Sequence, residues 1–447
     1  WQFVRLWGLM FLQYAVWGCW LPFAQIYFQG PKPSGLGITG TQMGILSALV
    51  PLMSLLLSPL FGQLADRKFN TEKILFVLHL ASAASLFLLW RQTTYVGVLV
   101  CMGLHAMAYS PTSPLCNSLV MSHLEDTKKS FSGIRVGGTV GWMVAGWLLV
   151  GLRGLGWLNT PNDFFLLASV ISLVLAFWCL LLPKTPPTPG VREKSAISKA
   201  FGLLKQRDFM MLMIISLCIS VMFEFFYLFS AGYMSAPTEQ TLKSVLPEAY
   251  IATGGYGLGL SPNKVALFMS MAQFSEIFLM LLLPWFLKNF GFKWTIFLGI
   301  AAWATRFALY VYFPTVPMTL LSIGLHGACV ALFLIAGSLY VQEIAPKDIR
   351  ASAQALYLVI TFGMGRILGA LLAGRVQDYY TNPIGGSIPG EVETAIPIRI
   401  SIPGNSDLKE LVNWQAIFVI PTAIALACLI VFPFVFKGRP ENKTDAL

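Results

Sequence analysis

The stretch Val265-Ala-Leu-Phe-Met-Ser-Met-Ala-Gln273-Phe-Ser275-Glu276-Ile-Phe-Leu-Met-Leu-Leu-Leu-Pro284-Trp-Phe-Leu287 decides the class of this protein. Its 23 residues are almost unbroken apolar sequence, bracketed by Lys264 and Lys288. That length crosses the hydrocarbon core of a bilayer as a helix. One ionisable residue, Glu276, lies near the middle, and Gln273, three residues earlier, shares its helix face. A carboxylate at that depth costs on the order of a few kcal/mol unless it finds a partner, a water-filled cavity or a proton. An intramembrane Glu is therefore a candidate functional group. The alternative is a structural hydrogen bond to a neighbouring helix.

The whole chain shares this character. Apolar residues make up 56% and charged residues 11% of the sequence, whereas soluble domains run near about a quarter charged. Most of the chain is thus expected in lipid. The net charge of +10 does not point to nucleic acid, because the basic residues fall in short loops between apolar spans. The seven Cys lie inside or at the edges of such spans, and neither they nor the four His show metal-ligand spacing. No metal or cofactor is expected.

Twelve spans are predicted, near 4–28, 40–62, 73–90, 95–119, 130–152, 163–182, 208–232, 265–287, 294–312, 317–341, 350–374 and 413–436. The Pro-, Lys- and Arg-rich segment 183–207 divides them into six plus six. The organisation expected is an N-terminal six-helix half (1–182), a linker (183–207) and a C-terminal six-helix half (208–447). Loops on the linker side hold 19 Lys and Arg, and the opposite loops hold 8. The excess puts the linker and both termini in the cytoplasm. Two long loops, 233–263 and 375–412, lie on the opposite side and are gates or tolerated insertions.

Twelve spans in two halves imply a major-facilitator architecture with a central cavity between half-repeats. The loop after the second span, Gly62-Gln-Leu-Ala-Asp66-Arg67-Lys68, supports it. Gly62 allows close helix approach, and Asp66 and Arg67 can latch helix ends; the alternative is ordinary loop charge.

The charges inside spans are Arg135, Glu224, Glu276, Arg306 and Arg366. They cannot all face lipid, so a polar cavity is the simplest place for them. Arg135 begins a run with Thr139 one turn on and Trp142 placed to stack on a ring. The competing reading has Arg135 snorkelling to the interface and Gly133–Gly141 serving as a packing face. The seventh span carries Glu224 and Tyr227 within an aromatic cluster. In the fourth, Pro111 and Pro114 free backbone carbonyls, giving a gating kink or a static bend. His326 could titrate or could be a satisfied core group. Arg306 is structural on this reading, and Arg366 is a possible ion-pair partner of Glu224 or Glu276.

These residues resemble the bacterial nucleoside:proton symporter family of the major facilitators. The resemblance is carried by Phe11-Leu12-Gln13-Tyr14 with Trp17-Gly18-Cys19-Trp20, Ala108-Tyr109-Ser-Pro111-Thr112, Arg135 with Gly138-Thr139, Gln273-Phe-Ser275-Glu276, Arg306-Phe307-Ala308 and Ile349-Arg350-Ala351-Ser352-Ala353-Gln354. It covers nearly the whole chain outside the linker and the two long loops. It implies that Arg135, Thr139, Gln273 and Glu276 contact a nucleoside and that Trp142 stacks on it. The chain departs from the family pattern in the seventh span, where Glu224 and Tyr227 replace amide side chains. It departs again at Ala331, where an Asp is expected, and in having Arg366.

The function expected is proton-coupled import of a nucleoside or a similar ring-bearing, polyhydroxylated solute by alternating access. Glu276 is the first choice of proton carrier and Glu224 the second. Burial favours a protonated carboxyl and a nearby guanidinium favours an ionised one, so a changing Arg distance could load and release a proton. Gln273, Thr139 and Tyr227 would hydrogen-bond the substrate. Rival readings are a same-fold carrier of a glycoside or an anionic sugar derivative, and a non-transporting membrane sensor. An enzyme is disfavoured, since no nucleophile–base set or metal cluster is evident. The partners expected are a small-molecule substrate, protons and the lipid bilayer, with no nucleic acid, in a monomeric protein of a bacterial cytoplasmic membrane.

Overall fold

In hydrocarbon every backbone N–H and C=O must be satisfied within the chain, so apolar spans of this length form helices. The computed structural model describes residues 1–124, 127–187, 201–244, 255–346, 349–383 and 410–438. It contains the twelve expected spans. They are α1 (Gln2–Gln29), α2 (Gly40–Arg67), α3 (Thr71–Trp90), α4 (Tyr95–Tyr109 continued by Thr112–Ser122), α5 (Thr127–Gly154), α6 (Asp163–Cys179), α7 (Arg207–Ser235), α8 (262–290), α9 (292–312), α10 (Val316–Ile344), α11 (350–379) and α12 (Trp414–Val435).

Length and hydropathy alone pick out nine membrane-crossing helices among the described residues. The other three are accounted for by local chemistry. α4 is interrupted at Ser110 and Pro111, and α6 has only 17 residues. α8 and α9 run together as one 51-residue helix except at Gly291, whose φ of 64° lets the chain turn back. That backbone region is open to Gly without a Cβ penalty.

Two compact units emerge from the packing. One comprises Trp1–Gly190, Leu228–Ser270 and Leu371–Asn413; the other comprises Val191–Tyr227, Met271–Ala370 and Trp414–Leu447. The boundaries cut across α7, α8 and α11. In the first unit α1 packs on α5 and α6, and α3 on α4 and α6. Lipid tails are as apolar as Leu, so such helices associate through close packing rather than a hydrophobic drive. α5 meets that need with glycines. A Cβ on Gly141 would fall 2.0 Å from the Phe11 carbonyl oxygen, and one on Gly138 would fall 2.6 Å from the Tyr14 ring. The glycine run of α5 is thus a packing face toward α1.

Two features lie outside the sequence reading. Residues 329–335 of α10 and 359–365 of α11 are π-helical turns. A short antiparallel pair, β1 (Thr381–Pro383) and β2 (Glu410–Val412), joins the ends of the long loop between α11 and α12. Three-residue strands leave too little alternation to be read in sequence.

Candidate functional site

Within the second unit, α7, α8, α9, α10 and α11 bring four ionisable side chains and a histidine together. Glu224 of α7 accepts a hydrogen bond from the Arg366 guanidinium Nε of α11. The Glu224 side chain is 2% exposed and that of Arg366 15%. The pairing left open by sequence is therefore Arg366 with Glu224. α11 reaches α7 because position 369 is glycine: a Cβ there would lie 2.5 Å from the Val221 carbonyl oxygen and 3.1 Å from Glu224 Cβ. Arg366 follows directly on the π-helical turn, a distortion often found at functional positions. Its guanidinium also lies 5.5 Å from the Tyr227 ring centroid and 5.7 Å from that of Phe223.

Glu276 meets a histidine of α10. Its Oε2 is 3.9 Å from Nε2 of His326, and its side chain is 26% exposed against 3% for the histidine. The other ring nitrogen, Nδ1 of His326, is 3.1 Å from Nη1 of Arg306. Arg306 is fully buried, with its guanidinium 3.3 Å from the Phe226 ring centroid. Ser275 fixes α8 against α10: its hydroxyl donates to the Gly324 carbonyl and accepts from the Gly327 N–H at 3.1 Å. Gln273 is half-buried, and its Oε1 is buried without a hydrogen-bond donor among the described residues.

The aromatic residues of α7 divide by face. Phe223, Phe226 and Tyr227 surround His326 at centroid distances of 6.3, 5.6 and 6.4 Å, and Phe225, Phe226 and Phe229 are all fully buried. The rings of Phe223, Phe226 and Tyr227 face the chain's own guanidiniums. A desolvated cation over a ring gains about 2 kcal/mol or more, which helps explain how two arginines persist at this depth.

In the first unit Arg135 is half-buried, with its guanidinium 4.1 Å from the centroid of Tyr14 on α1. Thr139, one turn on, is half-buried as well. Trp142 is 9% exposed, and its ring lies against Gly18 of α1. Pro111 caps the start of the second segment of α4, and the Tyr109 carbonyl accepts from the Thr112 hydroxyl at 2.6 Å. Gln13 of α1 ties into this kink through a 2.7 Å hydrogen bond to the same hydroxyl. Pro114 is exposed in the segment that follows. Gly62, Asp66 and Arg67 occupy the last turns of α2, where Asp66 and Arg67 are exposed.

Sequence reasoning missed the Arg306–His326–Glu276 alignment. The three residues come from three helices, and no spacing signals their meeting. It also missed a buried pair in the first unit, where His105 stacks on Tyr109 at 5.2 Å and meets the Ser82 hydroxyl through Nδ1 at 3.1 Å.

A family model described as "Nucleoside H+ symporter" matches residues 2–441. Among individual proteins, YegT of Escherichia coli (strain K12) is 29% identical over 392 residues, covering 85% of this chain and 86% of its own. Xanthosine permease of the same organism is 27% identical over 446 residues, covering 97% and 96%. Nucleoside permease NupG, also from that organism, is 26% identical over 391 residues, covering 83% and 87%. The crystal structure of nucleoside transporter NupG superposes with a TM-score of 0.76 at 24% identity, over 98% of this chain and 100% of that one. The twelve helices form a major-facilitator fold.

Proposed function

The chain belongs to the nucleoside H+ symporter family, and on that premise we propose that Glu276 is its proton carrier and that Gln273, Glu276, Tyr227, Arg135 and Thr139 bind the nucleoside. The protein is a secondary active transporter and not an enzyme, and it imports its small-molecule substrate together with protons. In this reading the halves 1–182 and 208–447, joined by 183–207, alternate access to the site. The protein works as a monomer in a bacterial cytoplasmic membrane, with both termini in the cytoplasm. The side chains invoked all come from one chain, and the Lys and Arg bias supports the orientation.

The observation that carries the assignment is the contrast between the two carboxylates. Glu224 is 2% exposed and already neutralised by Arg366, whereas Glu276 keeps 26% of its side chain accessible. A proton carrier must exchange protons with water, and the greater accessibility of Glu276 supports it in that role. The same pairing bears on the solute. With Arg366 held by Glu224, its charge is already compensated, which favours a neutral substrate over an anionic sugar derivative. The Gln273 Oε1 without a donor supports a hydrogen bond from a substrate hydroxyl or base N–H.

Competition in proteoliposomes tests the substrate class. Uptake of labelled uridine should be displaced by excess unlabelled adenosine or uridine and left unchanged by methyl glucoside. Displacement by the glycoside and not by adenosine would move the substrate outside the nucleosides.

A further inference from the structure

Arg306 carries a permanent charge at full burial, and the hydrogen bond it makes constrains the proton chemistry beside it. A guanidinium has N–H donors and no acceptor. Its Nη1 lies 3.1 Å from Nδ1 of His326, so Nδ1 must be the accepting lone pair. The ring is then neutral, with its one proton on Nε2, and Nε2 faces Oε2 of Glu276 at 3.9 Å. The arrangement is pinned close by on both sides. The Ser322 hydroxyl donates to the Arg306 carbonyl at 3.1 Å, and Ser275 bridges to Gly324 and Gly327.

We propose that Arg306 is a positioning residue of the proton step. It fixes the ring proton of His326 on Nε2 and aims that N–H at Glu276. His326 presents that N–H to the carboxylate across 3.9 Å, and the transported proton is taken up by Glu276 alone. This rests on the reading that Glu276 is the proton carrier. Putting a proton on Nδ1 would displace the guanidinium N–H and set two cations about 3 Å apart, which a poorly solvated site opposes. The charged and titratable groups facing the ring come from four helices: Arg306 from α9, Glu276 from α8, Tyr227 from α7, and Cys329 one turn along α10. The Glu224–Arg366 pair lies beyond the rings of Phe223 and Tyr227. In the step itself the Glu276 carboxylate gains one proton and becomes a neutral carboxyl, while the Nε2 proton stays on the ring.

His326→Gln and His326→Leu separate the roles. A glutamine amide keeps the polarity, with its oxygen toward Arg306 and its NH2 toward Glu276, and has no titration in the working range. Leucine has neither group. Gradient-driven uridine accumulation should fall about tenfold or more in His326→Leu, the consequence of losing a hydrogen bond to a charged group, and Gln should recover most of it. In parallel, 15N NMR of histidine-labelled intact protein should show a His326 ring that stays neutral with Nε2–H across the pH range over which uptake changes. The His326 signal is identified by its absence in His326→Gln. A ring that protonates in step with uptake, or carries its proton on Nδ1, overturns the proposal. So does His326→Gln that loses accumulation while keeping uridine counterflow. Glu276→Gln, run alongside, reports on the carrier separately: accumulation that survives in it rejects Glu276 as carrier, whatever the histidine spectrum shows.

Discussion

Glu224 and Arg366 illustrate what one buried pair contributes. Taking two charges out of water is costly, and their attraction only offsets that cost when both are present. Removing one partner leaves an uncompensated charge, at about 3–5 kcal/mol. Arg366→Ala should therefore lower the melting temperature in detergent by many degrees. Glu224→Gln with Arg366→Gln should melt closer to the intact protein than either single variant, and a double variant that melts lower than both singles would contradict the pairing. The sequence disclosed the charges within spans and the shared face of Gln273 and Glu276. The pairing of Arg366 with Glu224 was not legible, because it depends on how closely Gly369 lets α11 approach α7. For Arg135 the partner is Tyr14, a residue whose role sequence could not assign.

At the scale of elements, the start of α2 shows how the first unit is fastened at the end where α1 finishes. The Thr39 hydroxyl accepts from the Gln42 N–H at 3.2 Å in a capping box. The Asp378 carboxylate, from the end of α11, accepts from the Gly40 and Thr41 N–H groups at 2.5 and 2.8 Å. Beside it Gln29 and Gln377 exchange amide hydrogen bonds at 2.8 and 3.1 Å. A side-chain acceptor at a helix start is worth about 1 kcal/mol, and a charged one also meets the positive end of the helix dipole. These contacts join α1 and α2 to α11, so alternating access would have to break them. Asp378→Ala should broaden the distance distribution between spin labels at Ser34 and Tyr379, with Asp378→Asn intermediate. An unchanged distribution would show that the contact does not hold this end together. The contact of Gly40 with Asp378, 338 residues away in the chain, was not legible in the sequence. The π-helical turns were equally hidden, since an extra residue in a helical turn leaves no trace in an apolar run.

At the scale of the molecule, twelve apolar spans were legible because bilayer thickness fixes their length. The kink at Pro111 was signalled by residue type, and the turn at Gly291 falls between two predicted spans. How the helices pack was not, since the apolar residues that face lipid and those that face other helices look alike in sequence. The orientation proposed from the Lys and Arg bias is open to labelling. In intact cells a membrane-impermeant maleimide should label a cysteine placed at Ser34 and not one placed at Gln206; the reverse pattern would invert the topology. The central claim is that Glu276 couples proton movement to nucleoside import. Its most direct test is uptake of radiolabelled uridine into proteoliposomes, with and without an inward proton gradient, for the intact chain and Glu276→Gln. Gradient-driven accumulation in the intact chain, lost in Glu276→Gln while uridine exchange persists, is the result predicted. Accumulation that survives intact in Glu276→Gln would contradict the account.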